Sequence, residues 1–479
     1  MAAAASRRDL TTGPIAATLL RFALPTLGSS ILQSLNGSVN AIWVGRFLGE
    51  NALAATSNAN LVMFLMFAAM FGFGMAATIL VGQRMGARDL DGARRAVGSA
   101  LGLFAGLSIV IAVVGWLLAP DLLALLATPS GARAEALAYL RVIFLAMPAS
   151  FVSTLLIMAM RGMGDSLTPL WFMGLAVALD IALNPLLIAG IGPFPALGIA
   201  GSAWATLIAT VVSLAALLGW IYARDLPVRL RGGELAYLRP APALGRAMLG
   251  KGLPMGLQMI VISVSALAMI GLVNREGVIV TAAYGVTQQL WTYVQMPAMA
   301  IGAAVSAMAA QNIGAGRWDR VGAITRWGIV FNLVLTGALV LALTLADHGA
   351  LGLFLGAGSP AIPIAEHIHR LAGWSFILFG VSLVLFATVR ANGAVIAPLV
   401  ILTVALFPVR LGLARLAYPV LGADAIWWSF PAGSLATLLL GAGYYRFGSW
   451  RKGSFVPPAQ AEEAALADGD ACGKLSPTG

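Results

Sequence analysis

The residue with the most chemical potential in this chain is Asp180. It stands inside the apolar run at 169–190, the one acid of nineteen that falls near the middle of such a run. A carboxylate at mid-bilayer costs about 2.5–3.5 kcal/mol on insertion scales, so it normally faces a cavity or a partner and marks an ion pathway. Removal from water disfavours the charged form of an acid. Such a group can take up and release a proton under cellular conditions, or ligate Na⁺ while ionised. The plain structural alternative is a protonated acid hydrogen-bonded to the next helix. Asn184 follows Asp180 by four residues and shares its helix face. Asn36 and Asn40 repeat that spacing in an earlier run. At 1.5 Å per residue, Asn36 and Asn184 both sit about 7 Å beyond the midplane on the outer side. With Thr206, these residues predict a polar pocket for a coupling cation. Pro185 removes a backbone donor, frees a carbonyl and can kink the helix beside the pocket.

The elements that must position these side chains follow from composition. Of 479 residues, 60% are hydrophobic and 10% charged. A soluble protein carries roughly 25% charged residues. A soluble enzyme, a disordered chain and a collagen-like chain are all excluded. A spanning helix needs about 20 apolar residues, and about twelve such runs are present. They lie near 17–46, 53–81, 96–118, 135–160, 169–190 and 197–222, then 246–273, 281–309, 322–345, 361–389, 396–418 and 424–446. Runs this long are helices rather than barrel strands. Small residues such as Gly72, Gly74 and Ala76 let helix backbones approach closely in lipid.

The expected fold is therefore an all-α polytopic membrane protein. Twelve transmembrane helices divide into lobes at 17–222 and 246–448. A short segment precedes them at 1–16, a basic linker joins them at 223–245, and a disordered tail follows at 449–479. The first run is too long for a cleaved signal peptide and is interrupted by Gln33, Asn36 and Asn40. The 29 Lys+Arg against 19 Asp+Glu give a net charge of +10. The basic residues cluster in gaps on one side: Arg84, Arg88, Arg94 and Arg95, the linker, and Arg317, Arg320 and Arg326. The positive-inside rule makes that side the cytoplasm, with both termini on it, and assigns the charge to membrane orientation rather than nucleic acid.

The two halves repeat at an offset of about 229 residues. Leu24-Pro25 matches Leu253-Pro254. Gln83-x-x-Gly86-Ala87-x-x-x-Asp91 matches Gln311-x-x-Gly314-Ala315-x-x-x-Asp319. Arg161-x-x-Gly164-x-x-x-x-Pro169 matches Arg390-x-x-Gly393-x-x-x-x-Pro398. With six spans per half, both halves run in the same direction through the bilayer, a parallel repeat about an axis along the membrane normal. Two such pseudo-symmetric lobes leave a cleft, and rocking one against the other exposes it to alternate sides.

A substrate cavity is expected from Gln33, Gln258, Tyr284, Gln288 and Tyr293. Tyr284, Gln288 and Gln295 fall near one face at helical spacing. Aromatic faces attract organic cations. Met63, Met66, Met70, Met255 and Met259 are adaptable side chains that suit loose substrate choice or ordinary packing. His367-x-His369 lacks neighbouring ligands for a metal. Arg161 and Asp165 read as a turn with a salt bridge, Arg410 and Arg415 as residues that snorkel or line the cleft, and Trp427, Trp428 and Trp450 as interfacial belt residues. The lone Cys472 excludes a disulfide framework.

Several local motifs resemble the multidrug and toxic compound extrusion (MATE) family of transporters over roughly 15–448. Asn40-Ala-Ile-Trp-Val-Gly45-Arg46-Phe-Leu-Gly49 resembles that family's end of span one. Val81-Gly82-Gln83-Arg84-Met85-Gly86-Ala87 resembles its Gly-Gln-x-x-Gly-Ala loop. Met160-Arg161-Gly162-Met163-Gly164-Asp165 resembles the turn after span four, and Leu197-Gly-Ile-Ala-Gly201-Ser-Ala-Trp-Ala-Thr206 the opening of span six. Tyr139, in Tyr139-Leu140-Arg141, is in a context the family shares and is placed by the resemblance near Asp180. The pattern departs from the family at Asn40, where many members carry Asp, and in span five, where Asp180…Asn184 reverses the usual Asn…Asp order. One carboxylate with amide neighbours suits a proton better than Na⁺. Ala394 stands at the second-lobe counterpart of Asp165.

The resemblance implies a secondary exporter of amphiphilic or cationic organic compounds. Its drive would be an inward flow of H⁺ or Na⁺, without cofactor or ATP, in accord with the absence of a G-x-x-x-x-G-K-[ST] loop. It would work as a monomer in a bacterial inner membrane. The competing reading is a flippase for a lipid-linked oligosaccharide or cell-wall precursor, which would call for several mid-span basic residues. An embedded enzyme is disfavoured by the lack of H-E-x-x-H, of a paired mid-span Asp and of a Ser/His couple.

Overall fold

The computed structural model describes residues 9–125, 130–192, 194–356 and 358–453, and the side chains of all but 49–67, 69, 125 and 130–132 of these. The described residues form helices and no strand. The first half comprises α1 (Ile15–Gly86), α2 (Leu90–Leu125), α3 (Ser130–Gly162), α4 (Leu167–Ala189) and α5 (Ile199–Ala223). The second comprises α6 (Pro242–Val273), α7 (Val278–Gly314), α8 (Trp318–Leu345), α9 (Asp347–Leu355), α10 (Ala361–Ala372), α11 (Ser375–Ala391) and α12 (Ile396–Val404). These are followed by α13 (Gly412–Leu416), α14 (Tyr418–Leu421) and α15 (Asp424–Phe447). Among the described residues, ten helices are long and apolar enough to cross a membrane. The pair α10 and α11, bent by 44°, makes an eleventh.

α1 is one helical run of 72 residues. Drawn straight it would reach about 108 Å, against a hydrocarbon core of about 30 Å. Yet Leu10, just before it, donates to the Gln311 side chain at 3.0 Å. A Cβ on Gly86, at its far end, would strike the Gln311 backbone. Both ends therefore meet one residue, and the run reverses between Leu48 and Gly72. The twelve passes expected from sequence are reached if its returning arm is taken as a pass of its own.

The halves meet through residues related by the internal repeat. Gln83 Nε2 donates to the carbonyl of Ala391 at 2.7 Å. Its counterpart Gln311 donates to the carbonyl of Gly162 at 2.9 Å. Gly162 and Ala391 are the last residues of α3 and α11. The last carbonyls of a helix have no partner within it, so each glutamine caps a helix of the opposite half. Gly86 packs on the Gln311 backbone and Gly314 on the Gln83 backbone, so close that a Cβ at either would collide. This reciprocity is what a two-fold axis between the halves requires.

The N-terminal segment strengthens the same junction. Leu10 is buried, and the Asn312 side chain donates to its carbonyl at 3.0 Å. Arg317 and Arg320 bind the carbonyls of Thr11 and Gly13. Among the described residues, every hydrogen bond between the halves falls on this arginine-rich side. The cores agree. The first-half core absorbs Met248, Met255, Ala309, Ala310, Val389 and Ala391 from the arginine-rich ends of second-half helices. The core around Trp291, Trp427 and Phe430, at the other ends, holds second-half residues alone. The recorded contacts between the halves thus gather on the basic side.

Two expectations change. Trp450, assigned to the tail and to the interface, is buried, stacks on Tyr445 and donates to its carbonyl at 2.8 Å. The tail's start is therefore docked, while 454–479 lie outside the described residues. Trp427 is also buried, against Tyr284, whereas Trp428 stays exposed. Asp165 also caps the start of α4, accepting from the Thr168 backbone and hydroxyl at 3.0 and 2.9 Å.

Candidate functional site

Asp180 lies on α4 and is 3% exposed. Its Oδ1 accepts from Thr206 Oγ1 on α5 at 3.0 Å and from Asn184 Nδ2 at 3.2 Å. The Asn184 amide also donates to the Asp180 carbonyl at 2.8 Å, which fixes its orientation so that Oδ1 is the free end. This local device follows from the i, i+4 spacing with Pro185 just beyond. Asn36, on the outgoing arm of α1, is turned to the same carboxylate. Asn40 stands one step back: Ser202 Oγ donates to its Oδ1 at 2.7 Å, and Thr206 Oγ1 leans on the Ser202 carbonyl at 3.2 Å. Tyr139 on α3 is buried and within the electrostatic reach of Asp180, without a hydrogen bond to it.

The structure thus brings together Asp180, Asn184, Asn36 and Thr206, with Asn40 attached through Ser202. Ser202 was not singled out in the sequence. Its spacing of four from Thr206 was the available signal.

Three buried oxygens in this cluster have no donor: Asp180 Oδ2, Asn184 Oδ1 and Asn36 Oδ1. Buried acceptors are normally paired, and an unpaired one costs about 1–3 kcal/mol. A proton on Oδ2 would let the acid donate to one of the amide oxygens. A bound monovalent cation could be held by all three.

The residues expected to line a substrate cavity do not form one surface. Gln258 is buried; it donates to Val395 at 3.0 Å and accepts from Arg390 at 3.2 Å, so it is a pin between helices. Tyr284 is buried and stacks on Trp427 with centroids 5.7 Å apart. Nine residues at about 100° each place Tyr293 on the opposite side of α7 from Tyr284. There Tyr293 is exposed and accepts from Gln289 at 3.2 Å. Gln288 shares the Tyr284 side and is half-buried. Gln33 precedes Asn36 on α1 and is exposed. Met70 and Met255 belong to the core, and the side chains of Met63 and Met66 lie outside the described residues.

His369 is held between Trp291 Nε1 at 3.0 Å and Thr344 at 3.1 Å, and His367 meets Asp424 at 2.8 Å. Among the described residues no group of His, Cys, Asp and Glu is placed to hold a metal.

Comparison with known proteins agrees with this architecture. The MatE family model matches twice, at 25–186 and 254–416. The "Probable multidrug resistance protein YoeA" of Bacillus subtilis is 37% identical over 433 residues, 90% of this chain and 93% of its own length. The "Probable multidrug resistance protein NorM" of Deinococcus radiodurans is 32% identical, covering 89% and 95%. A "FAD transporter" of Shewanella oneidensis is 27% identical over 73% of this chain and 76% of its own. A solved structure described as the outward-facing conformation of a multidrug resistance MATE family transporter superposes with a TM-score of 0.84 at 20% identity, over 92% of this chain and 98% of that one. The double match of the family model on a helical, twice-repeated membrane chain establishes that this protein belongs to the MatE family of multidrug transporters.

Proposed function

We propose that this protein is a secondary active exporter of amphiphilic or cationic organic compounds, coupled to inward flow of H⁺ rather than Na⁺, and working by alternating access of two six-helix lobes. The observation that carries the reading is the set of three unpaired oxygens around Asp180. When the acid is protonated, Oδ2–H donates to Asn184 or Asn36 and draws α1 toward α4. When it is ionised, the carboxylate and the amide oxygens repel one another and that contact loosens. One negative charge is balanced by one proton, and a single carboxylate with two amide oxygens is a sparse shell for Na⁺. The hydroxyl of Thr206 stays bonded to Oδ1 in both states and holds the carboxylate in register.

The junction on the arginine-rich side supports the rocking motion. In this scheme the Gln83 and Gln311 caps hold that side shut. Opening the other way requires both caps to release together, and the two-fold arrangement makes their release equivalent. The arginine-rich side is the cytoplasm in this reading, the membrane is a bacterial inner membrane, and the monomer is the transporting unit. No nucleic acid or cofactor enters the scheme.

The test is export of ethidium by everted vesicles, driven by a proton gradient and separately by a sodium gradient, with Asp180→Asn beside the unaltered protein. Loss of proton-driven export in the variant is expected. Unchanged export under both gradients removes Asp180 from the mechanism.

A further inference from the structure

The second half has a half-buried charge of its own, in the place that corresponds to Asp180. Pro169 and Pro398 mark the shared register near the starts of α4 and α12. That register alone would match Asp180 to Val409. Between α12 and α13, however, the chain forms a π-helical segment, Ala405–Leu411, around Pro408. A π turn takes up an extra residue, and such turns are frequent at functional sites. The extra residue brings Arg410 to the position that Asp180 holds in the first half.

The partner helices confirm the match. Gly198 before α5 has φ 56° and ψ −136°, and Gly422 before α15 has φ 58° and ψ −140°. Thr206 lies eight residues after the first glycine and Phe430 eight after the second. Thr206 touches Asp180, and the Arg410 guanidinium carbon stands 3.7 Å from the centre of the Phe430 ring.

The chemistry around Arg410 is one-sided. Phe430, Trp291 and Tyr284 pack on one another, with centroids 5.2 Å apart for Trp291 and Phe430 and 6.2 Å for Tyr284 and Phe430. Among the described residues Arg410 has no hydrogen bond and no ion pair, and its Nε is buried without an acceptor. The acids on the side of this half away from the arginine-rich one are committed elsewhere. Glu276 accepts from Tyr418, Glu366 meets His348, and Asp424 meets His367. A guanidinium carries five N–H donors, and an aromatic ring offers it no lone pair. The side chain is only half-buried, so a ligand can reach it.

We propose that the Arg410 guanidinium, set against the buried Phe430 ring, is a binding site for the carboxylate of an organic acid. Carboxylates match the planar fork of a guanidinium through two parallel hydrogen bonds. The inference rests on the exporter reading for the direction of transport but not for binding, which is measured without a gradient.

The test uses the full chain, purified in detergent, with thermal unfolding as readout and 2-naphthoate, 2-naphthamide and naphthylmethylammonium as probes. A ligand that binds the folded state raises its melting temperature in a saturable way. Naphthoate is expected to stabilise the unaltered protein at concentrations where the neutral amide does not. In Arg410→Gln its apparent affinity is expected to fall by about tenfold or more, while the cation binds no more weakly than before. Arg410→Lys retains the charge but loses the fork, and an intermediate loss is expected; this variant decides the matter if Arg410→Gln does not fold. Equal naphthoate binding in the variants and the unaltered protein, or no preference for naphthoate over the amide, overturns the proposal. If naphthoate binds through Arg410 but ethidium export fails in the unaltered protein, the exporter reading falls and this site stands.

Discussion

The two halves share a scaffold and differ in what they place at its centre. In the first, Asp180 is surrounded by Thr206, Asn184 and Asn36, a polar shell with spare acceptors. In the second, Arg410 is surrounded by Phe430, Tyr284 and Trp291, an aromatic shell with spare donors. The glycines that open α5 and α15 have nearly the same backbone angles, and the glutamines that join the halves make the same bond in each direction. Backbone geometry is therefore duplicated while chemistry is divided. In the proposed scheme the first pocket takes the coupling cation and the second takes cargo.

The sharpest way to break this division is Asp180→Asn. Proton-driven ethidium export is expected to fall by about 100-fold, equivalent to about 2.7 kcal/mol. The folded state should be no less stable, because the change removes a carboxylate from a site that disfavours it. A matching fall in naphthoate binding would show that the two pockets are not separable.

Next in size are Gln83→Leu and Gln311→Leu. Each strands a helix-terminal carbonyl, at about 1–3 kcal/mol, and is expected to shift the population toward closure of the side opposite the caps by about tenfold. Spin labels at Ala196→Cys and Val420→Cys, in a Cys472→Ser background, would report shorter distances. The two single variants should match each other, since the contacts are related by the repeat. Unequal effects would show that the pseudo-symmetry is structural only.

A smaller effect is expected from Asn40→Asp. Ser202 already donates to Asn40 Oδ1 at 2.7 Å, so the aspartate keeps this bond and the fold tolerates it. A second carboxylate near Asp180 raises the negative charge of the pocket. Sodium-driven export should rise by about threefold or more at the expense of proton-driven export, measured by running each gradient alone.

The smallest is a pH effect on the N-terminal strap. Burial opposes ionisation of Asp9, but hydrogen bonds from the Thr11 hydroxyl and backbone and from Thr12, with the charge of Arg88, hold its carboxyl below its ordinary value of 3.8. A depressed folded-state pKa contributes stability above the unfolded value and loses it as the pH falls through the folded one. The protection factor of the Leu10 amide against exchange should therefore fall modestly below about pH 4, and Asp9→Asn should remove that dependence.

Much of this was legible in sequence because a membrane restricts the alternatives. Apolar runs of about 20 residues have to be helices there, and a lone acid among them has to find partners. The same logic paired Asp180 with Asn184, whose spacing defines a helix face. It failed where the partner came from another element. Gln258 reads as a polar cavity residue, but its two bonds to Val395 and Arg390 are made across α6, α11 and the turn before α12. Tyr284 and Tyr293 are nine residues apart, and the helical period sets them on opposite sides. Trp450 reads as an interfacial anchor, yet the end of α15 delivers it onto Tyr445.

What the sequence determined alone was the membrane class, the repeat and the isolation of Asp180, because each depends on composition or on spacing along one helix. Which oxygens around Asp180 lack a donor, which glutamines join the halves, and that a π turn sets Arg410 opposite Asp180 in the repeat were decided by tertiary structure. These are relations between helices distant in sequence, and a register shift of one residue within a helix turns a side chain by about 100°.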